Sequence, residues 1–435
     1  MPALFLETAL QEAGVHRRNG IYSPLVTLWL LVWQRLAGGA PLETAVLHLL
    51  RGLPASFWPR PCKRMQDWRE RGKTPSSNTG GYNQARQALP LSVVQDSCDR
   101  IFEGLVDRFD EVGWQNRRRT FLLDGSTMRT AHTPALCETY PPGSNQHREG
   151  HWPLLRVLVA HDIDSGLAMR PQWGPVYGPD RVSEQELLES AIDRLPKEAI
   201  VLGDCNFGVF SVAYAATQRQ HPVLLRLTHE RAQRLAGEPL RNRINRAITW
   251  APSPADRRGH RELPEDASVT GRLIVRRIQP DHAGKPVLLA LFTTLQLKEK
   301  ELLGLYGQRW KIETDLRTLK STLRLDQLTC STPDMVAKEI DMGIAAYNLV
   351  RAVTCLASQQ SGMPPRSYSF TRVRRIVEIF TPLLGCAADP QEARQAFKQM
   401  MQYIQQATLP RRHRKRPAYP RRVWNRGASF PKRQA

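Results

Sequence analysis

The chain has 435 residues, 41% apolar and 24% charged, which supports sizeable cores and suggests several units of roughly 150 residues each. Its net charge of +21 predicts a polyanionic partner, with nucleic acid as the first candidate and an anionic membrane surface as the alternative. The longest apolar run, residues 24–33, is far shorter than the roughly 20 residues that span a bilayer, so we expect no transmembrane segment there.

We interpret this apolar run as a buried helix rather than a signal peptide, with Ser23 as its N-cap and Pro24 at its first position. The seven cysteines are scattered and include no C-x-x-C pair, which predicts reduced thiols and a cytoplasmic, nucleoid-associated protein. Cys137, His147 and His151 form a partial zinc set. Three ligands in a loop without a fourth are only weakly typical of a zinc site.

Residues 1–112 are predicted to be helical and basic. Apolar residues at helical spacing predict helices over residues 24–36 and 41–52. A basic, turn-rich stretch follows over residues 60–81, and then a further helix over residues 92–109. The region is either a DNA-binding unit or a helical cap with a solvated basic loop, and the residues alone favour neither.

Residues 113–330 change to a mixed α/β pattern, with short apolar strands that end at Asp124 and at Asp204. Carboxylates that follow neighbouring strands converge on one crevice, so these two are candidate site residues. Each also lies beside a glycine, and Asp-Gly is first of all a turn signal. Residues 229–296 carry short strands between loops rich in proline, glycine and charge, which predicts a β insertion rather than a continuation of the core.

Residues 331–410 are predicted to be helical again, chiefly over residues 333–359 and 390–406. If the protein acts as a dimer, these two helices are candidates for the interface. Residues 411–435 form a basic tail rich in arginine and proline. Such a run is usually solvated, and the aromatic residues within it also suit nucleic-acid phosphates and base faces.

A predicted helix over residues 301–324 carries four polar side chains on one stripe. At about 100° per residue, a span of roughly 60° contains all four: Tyr306, Arg309, Glu313 and Lys320. An adjoining apolar stripe would pack on a sheet. An ordinary amphipathic helix with an Arg309–Glu313 ion pair would explain the same residues without a function, and the residues alone slightly favour that interpretation.

The spacing of these four residues, Y-x2-R-x3-E-x6-K, resembles the signature of the insertion-sequence-four family of DDE transposases. The segments around Asp124 and Asp204 are similar to the two aspartate strands of that family. Residues 78–90 resemble a segment that the family carries ahead of its catalytic domain. The resemblance covers most of the chain, strongly over residues 121–329 and weakly over the first seventy residues.

The resemblance implies an α/β fold: a ribonuclease-H-like core with a β-strand insertion, flanked by helical N- and C-terminal regions. It implies that Asp124, Asp204 and Glu313 are catalytic and hold two Mg²⁺ ions, for which Mn²⁺ substitutes. It assigns DNA-binding roles to the three other residues of the signature: Tyr306, Arg309 and Lys320.

The implied activity is that of a transposase, which binds the terminal inverted repeats of its insertion sequence, cleaves the ends through hairpins and joins them to target DNA. The implied partners are double-stranded DNA and a second copy of the chain, because two ends need two active sites. The family also flips a base beside the cut onto an aromatic ring. Trp250 and Trp310 are candidates for that ring, although a core role is favoured for both.

Three alternative functions remain open when only the residues are considered. A nuclease of the same fold would use the same carboxylates without strand transfer. A non-catalytic DNA-binding relic would have kept only the fold, although the complete signature argues against decay. The interpretation as a peripheral membrane protein is supported by the net charge alone. The chain lacks the basic amphipathic helix with a large apolar face that such proteins use.

Overall fold

A computed structural model of the chain describes residues 3–14, 20–54, 57–58, 62–110, 118–145, 148–240, 243–279, 286–387 and 389–410. Its helices are α1 (Ala3–Glu12), α2 (Pro24–Leu36), α3 (Leu42–Arg51), α4 (Lys63–Arg71), α5 (Gly80–Ala88), α6 (Leu91–Arg108), α7 (Pro134–Thr139), α8 (Glu184–Ala191), α9 (Phe210–Gln218), α10 (His229–Ala236), α11 (Pro254–Gly259), α12 (Glu299–Gly307), α13 (Trp310–Arg317), α14 (Pro333–Ser361), α15 (Phe370–Cys386) and α16 (Pro390–Gln405). Its strands are β1 (Thr120–Arg129), β2 (Pro142–Asn145), β3 (Arg148–Asp162), β4 (Gln172–Pro175), β5 (Ile200–Gly203), β6 (Val223–Arg226), β7 (Arg243–Trp250), β8 (Val269–Ile278) and β9 (Val287–Thr293).

The strands form one mixed sheet in the order β2-β3-β1-β5-β6-β9-β8-β7, and β4 also pairs with β3. Strand β1 is antiparallel to β3 and parallel to β5, and β5 is parallel to β6. The short parallel strands are buried along most of their length, as expected where a parallel sheet is covered on both faces. The predicted α/β class is therefore confirmed at the level of a large mixed sheet with helices.

The three strands of the predicted insertion, β7 to β9, extend this sheet. Strand β9 is antiparallel to β6, with Phe292 opposite Leu225, and β8 and β7 follow. The expectation that these strands do not continue the core is therefore wrong. The charged and proline-rich loops suggested separation, but the strands themselves bury apolar side chains such as Leu273 and Leu291.

Side chains that alternate along the central strands fill a core on each face of the sheet. Leu122 and Leu202 belong to one core, which α2, α6, α12, α13 and α14 cover. Phe121 and Leu123 belong to the other, which contains residues of α8, α9 and α10. A smaller cluster joins α2, α3, α4 and α5. The helices before and after the strands thus share a core with the sheet.

Helix α14 is the longest helix and runs through the interior. By length and composition it could cross a membrane, but 89% of its most apolar window is buried inside the protein. Within the described ranges no other helix passes the same test. Its apolar character is explained by its packing against α2 and α6.

Two predictions about the N-terminal helices have different outcomes. The start of α2 is confirmed, because the Ser23 hydroxyl accepts a hydrogen bond from the Val26 amide and Pro24 opens the helix. The stretch predicted to be turn-rich contains α4. That helix forms because Met65 is buried against α2 and α3, a tertiary contact that its basic sequence does not reveal.

The helix predicted over residues 301–324 is broken into α12, α13 and a π turn over Thr318–Thr322. Between α12 and α13, the amides of Arg309, Lys311 and Ile312 bond carbonyl groups three residues earlier instead of four. This tighter winding interrupts the α-helical hydrogen-bonding pattern between Tyr306 and Glu313. The four signature residues therefore do not share one straight helix.

Candidate active site

Asp124 lies on β1 and Asp204 directly follows the neighbouring parallel strand β5, at the same level of the sheet. In the register of β1 and β5, Leu122 is opposite Leu202, and each aspartate comes two residues later. Two residues is one side-chain repeat of a strand, so both carboxylates leave the sheet on the same side. Strand β1 does not end at Asp124 as predicted but continues to Arg129, because β3 pairs with its whole length.

The Asp124 carboxyl group is half-buried and surrounded by charges. Burial and the neighbouring Asp204 carboxylate raise its pKa to about 6, while a hydrogen bond from the Gly125 amide opposes the shift. Glu184 raises this pKa further and Arg309 lowers it. A group that titrates so far above its usual value, beside a second carboxylate, is typical of a functional site.

Glu184 is a site residue that the sequence did not reveal. A β carbon built on Gly125 would lie 2.0 Å from the Glu184 carboxyl carbon, so the glycine leaves the space that this carboxyl group occupies. The role of Gly125 is therefore close approach rather than the turn that Asp-Gly suggested. Glu184 is the first residue of α8, far from Asp124 in the sequence, and its only local signal is the capping box begun by Ser183.

The loop after Asp204 is tied to the same helix. The Asn206 amide donates to Asp204 Oδ1 at 2.9 Å, and the Asn206 side-chain amide donates to Glu184 Oε2 at 2.5 Å. Gln185 Nε2 donates to the Asn206 carbonyl at 2.6 Å. Two consecutive residues of α8 thus fix the loop that carries the second aspartate.

Glu313 lies on α13, whose buried residues Ile312 and Leu316 pack into the core beside the sheet. Arg309 Nη2 is 3.4 Å from Glu313 Oε1, the ion pair expected from the spacing. Because Arg309 also acts on the pKa of Asp124, it connects the glutamate to the aspartate pair. The structure therefore brings Asp124 and Asp204 together, whereas Glu313 is linked to them only through Arg309.

A buried ion cluster holds α13 in place on its other side. Asp315 is fully buried and accepts hydrogen bonds at 2.7 Å from both Arg351 and Arg366. Burial opposes its ionisation, but the two guanidinium groups hold the pKa of Asp315 below its usual value. This cluster, two residues from Glu313, fixes the rotation of the helix.

The remaining signature residues differ in their surroundings. Tyr306 is buried, which raises the pKa of its phenol, and Arg309, Arg226 and Asp204 are the charged groups that act on it. Lys320 is partly exposed, and its Nζ donates to Ser126 Oγ at 3.1 Å, two residues beyond Asp124. Both side chains therefore border the carboxylate site.

The two tryptophans considered for base stacking have opposite environments. Trp250 is buried among aromatic residues of the core, with its ring 4.9 Å from that of Phe292, as expected. Trp310 is 63% exposed, so the core role favoured for it is wrong. It begins α13 on the side away from Ile312, and the Arg309 guanidinium lies 5.6 Å from its ring centre.

Metal ligands were expected in the carboxylate site and, weakly, around Cys137. Among the described residues, no group of three or more His, Cys, Asp or Glu side chains is placed to hold a metal ion. His147 of the partial zinc set lies outside the described residues, and the His151 ring stacks on His132. Asp124 and Asp204 nevertheless fit a divalent cation in chemistry, since they offer hard oxygen donors side by side and repel each other without one.

Comparison with known proteins identifies the family of the chain. A family model described as a transposase DDE domain matches residues 115–349, more than half of the chain. The transposase InsG for insertion sequence element IS4 of Escherichia coli (strain K12) is 23% identical over 320 residues, which cover 71% of this chain and 68% of that protein. The resemblance seen in the sequence is thereby confirmed, and the chain belongs to the IS4-type family of DDE transposases.

Proposed function

We propose that the protein is a DNA transposase that cleaves the ends of its insertion sequence and joins them to target DNA, with Asp124, Asp204 and Glu313 as its catalytic carboxylates. The observation that carries this proposal is the pair of aspartates on adjacent parallel strands, joined electrostatically by Arg309 to a glutamate on a packed helix. A mixed sheet with two carboxylates at its strands and a third on a helix also supports a ribonuclease-H-like core.

Asp124, in the middle of β1, and Asp204, directly after β5, would hold a divalent cation between them. Glu313 would complete the ligand set once its carboxylate leaves Arg309 for the metal. Two Mg²⁺ or Mn²⁺ ions, when bound, supply activation of the attacking oxygen and stabilisation of the departing 3′-oxygen. Arg309 would then be free to hold a phosphate, for which its planar fork is suited.

Release of each element end takes two displacements at phosphorus, and two more, hydrolysis of the hairpin and attack of the freed 3′-hydroxyl on target DNA, complete the joining. Water attacks the scissile phosphate, and the bond to the 3′-oxygen breaks to leave a 3′-hydroxyl on the element. That hydroxyl loses its proton as it attacks the opposite strand, which gives a hairpin end and frees the flanking DNA. Lys320, beside Ser126, and Tyr306 border the carboxylates and would hold phosphates of the terminal nucleotides.

The other parts of the chain receive supporting roles. We assign residues 1–112 to binding of the terminal repeats and residues 411–435, which lie outside the described residues, to additional phosphate contacts. Of the two helices expected at the dimer interface, α14 is buried within the chain, so we do not propose it for the synaptic dimer. Helices α15 and α16 are better placed, because they expose large apolar side chains: Ile379, Leu383, Phe397 and Tyr403.

The test uses a plasmid that carries the gene with its native flanking DNA, purified protein and Mg²⁺, with products separated on a denaturing gel. Asp204→Asn is the test variant, and Asp193→Asn, an exposed carboxylate paired with Arg219, is the matched control. We expect metal-dependent release of the element and hairpin ends with the parent and the control, and neither with Asp204→Asn.

The gel also separates the alternatives. Strand breaks without hairpins or joined products would identify a nuclease of the same fold. Binding to the flanks with no breaks in either Mg²⁺ or Mn²⁺ would overturn the catalytic proposal and leave a DNA-binding relic.

A further inference from the structure

A basic groove lies between the N-terminal helices and α15. Its volume is about 770 Å³, and its walls are the turn between α2 and α3, the segment after the π turn, and one face of α15. We call it the arginine groove, after the four arginines that line it: Arg51, Arg324, Arg374 and Arg375. Glu378 is the acidic residue among its lining.

The arginine groove keeps a net positive charge after its internal pairing. Arg374 Nη1 lies 2.9 Å from Glu378 Oε2, and this ion pair neutralises its charge. The side chains of the other three arginines are exposed, and among the described residues no carboxylate forms an ion pair with them. Unpaired guanidinium groups around a concave surface attract phosphates, which they bind through their planar forks.

Arg324 is held in a conformation that a non-glycine residue rarely adopts. Its φ is +54°, in the left-handed region, which costs of order 1–2 kcal/mol for a side chain other than glycine. Its side chain packs over the turn between α2 and α3, 3.7 Å from where a β carbon of Gly39 would stand. An arginine kept where glycine would be more stable indicates a role for its side chain.

The arginine groove is adjacent in the chain to Lys320, a residue that borders the proposed active site. Ser321 and Thr322 line it and follow Lys320, whose amino group reaches Ser126 beside the aspartates. Hydroxyl groups and arginines are the side chains that position a nucleic-acid backbone without reading its sequence. A strand cut at Asp124 and held by Lys320 would therefore extend along this surface.

We propose that the arginine groove binds the phosphate backbone of the DNA duplex next to the cleavage site, through Arg324 and Arg375 in particular. This inference rests on the proposed function, but it concerns binding rather than chemistry. It predicts contacts that are independent of base sequence, so they should strengthen binding to native flanking DNA and to unrelated duplex alike.

The experiment measures duplex binding by fluorescence polarisation over a range of salt concentrations, with Asp204→Asn as background so that no DNA is cut. Arg324→Gly/Arg375→Gln is compared with Lys197→Gln/Arg258→Gln, which removes the same charge from exposed positions outside the groove and the proposed dimer surface. Each lost phosphate contact lowers the salt dependence, the slope of log affinity against log salt, by about 0.9. We expect a loss of about 2 in slope for the groove variant and almost none for the control.

Thermal melting accompanies the binding measurement. Arg324→Gly alone should melt no lower than the background, since glycine relieves the left-handed strain, and yet bind DNA more weakly. Equal slopes for the groove and control variants would overturn the inference while leaving cleavage by the parent intact. A parent that binds DNA but never cleaves it would contradict the proposed function and leave the groove test unaffected.

Discussion

Gly125→Ala tests whether the Glu184 carboxyl group occupies the space where a side chain at position 125 would stand. The β carbon of alanine would lie 2.0 Å from the Glu184 carboxyl carbon, which no real contact permits. Gly125 does not have a positive φ, so the strand backbone itself accepts alanine. Without the overlap, the substitution would stabilise the protein by about 0.4–1 kcal/mol, because it restricts the unfolded chain.

The overlap reverses this gain. Glu184 must move, which breaks its hydrogen bond from Asn206, and bonds to charged groups contribute about 1.5–3 kcal/mol when buried. Because Glu184 is only half-buried, we expect a net loss of about 1 kcal/mol in the free energy of unfolding. Cleavage should also slow, since Asn206 no longer fixes the loop of Asp204.

A double-mutant cycle provides the measurement and its control. In a Glu184→Ala background the new methyl group meets no carboxyl group, so Gly125→Ala should be neutral or slightly stabilising. Urea unfolding followed by circular dichroism would therefore give a coupling of about 1–2 kcal/mol between the two positions. An identical effect of Gly125→Ala in both backgrounds would refute the placement of Glu184 beside the aspartates.

Three further substitutions test the framework around the site. Asp315→Ala should lower the free energy of unfolding by about 3–5 kcal/mol in urea, because Arg351 is left buried without its carboxylate; a loss under about 1 kcal/mol would contradict the buried cluster. Burial raises the pKa of Asp341 to about 8, so its ionisation destabilises the fold progressively as the pH rises from about 4 to 8. Asp341→Asn should therefore raise the melting temperature at about pH 9 and not at about pH 4, and an equal effect at both would refute the shift. Gly208→Ala should cost about 1–3 kcal/mol in thermal unfolding, since its β carbon would lie 1.9 Å from the Arg226 carbonyl oxygen; unchanged melting would disprove that contact.

The sequence predicted the features that depend on local chemistry. The hydroxyl of Ser23 and the fixed φ of Pro24 define the start of α2 independently of how that helix packs in the fold. Asp124 and Asp204 were expected to converge because each follows an apolar strand, and their register places them side by side. The spacing of the signature was sufficient to indicate the family, which the comparisons confirm.

Features that arise from distant contacts were not predictable in this way. Glu184 reaches the site only because Gly125 leaves space for it, and no spacing rule connects the two residues. The break before α13 has no signal in the spacing of the signature residues. Trp310 was expected in a core, but it lies exposed at the outer start of α13. The domain boundaries, the dimer and the DNA contacts stay predictions.

The measurement that tests the central proposal most directly replaces a proposed metal ligand by one of different softness. Asp204→Cys puts a thiolate where a carboxylate oxygen stood, and Mn²⁺ accepts a sulfur ligand more readily than Mg²⁺. Cleavage of flanking DNA is followed in each metal, with Asp193→Cys as the control. We predict that Asp204→Cys is inactive in Mg²⁺ and regains activity in Mn²⁺, whereas the control cleaves in both. Full activity of Asp204→Cys in Mg²⁺, or an equal loss in both metals, would contradict the assignment of Asp204 as a metal-binding catalytic carboxylate.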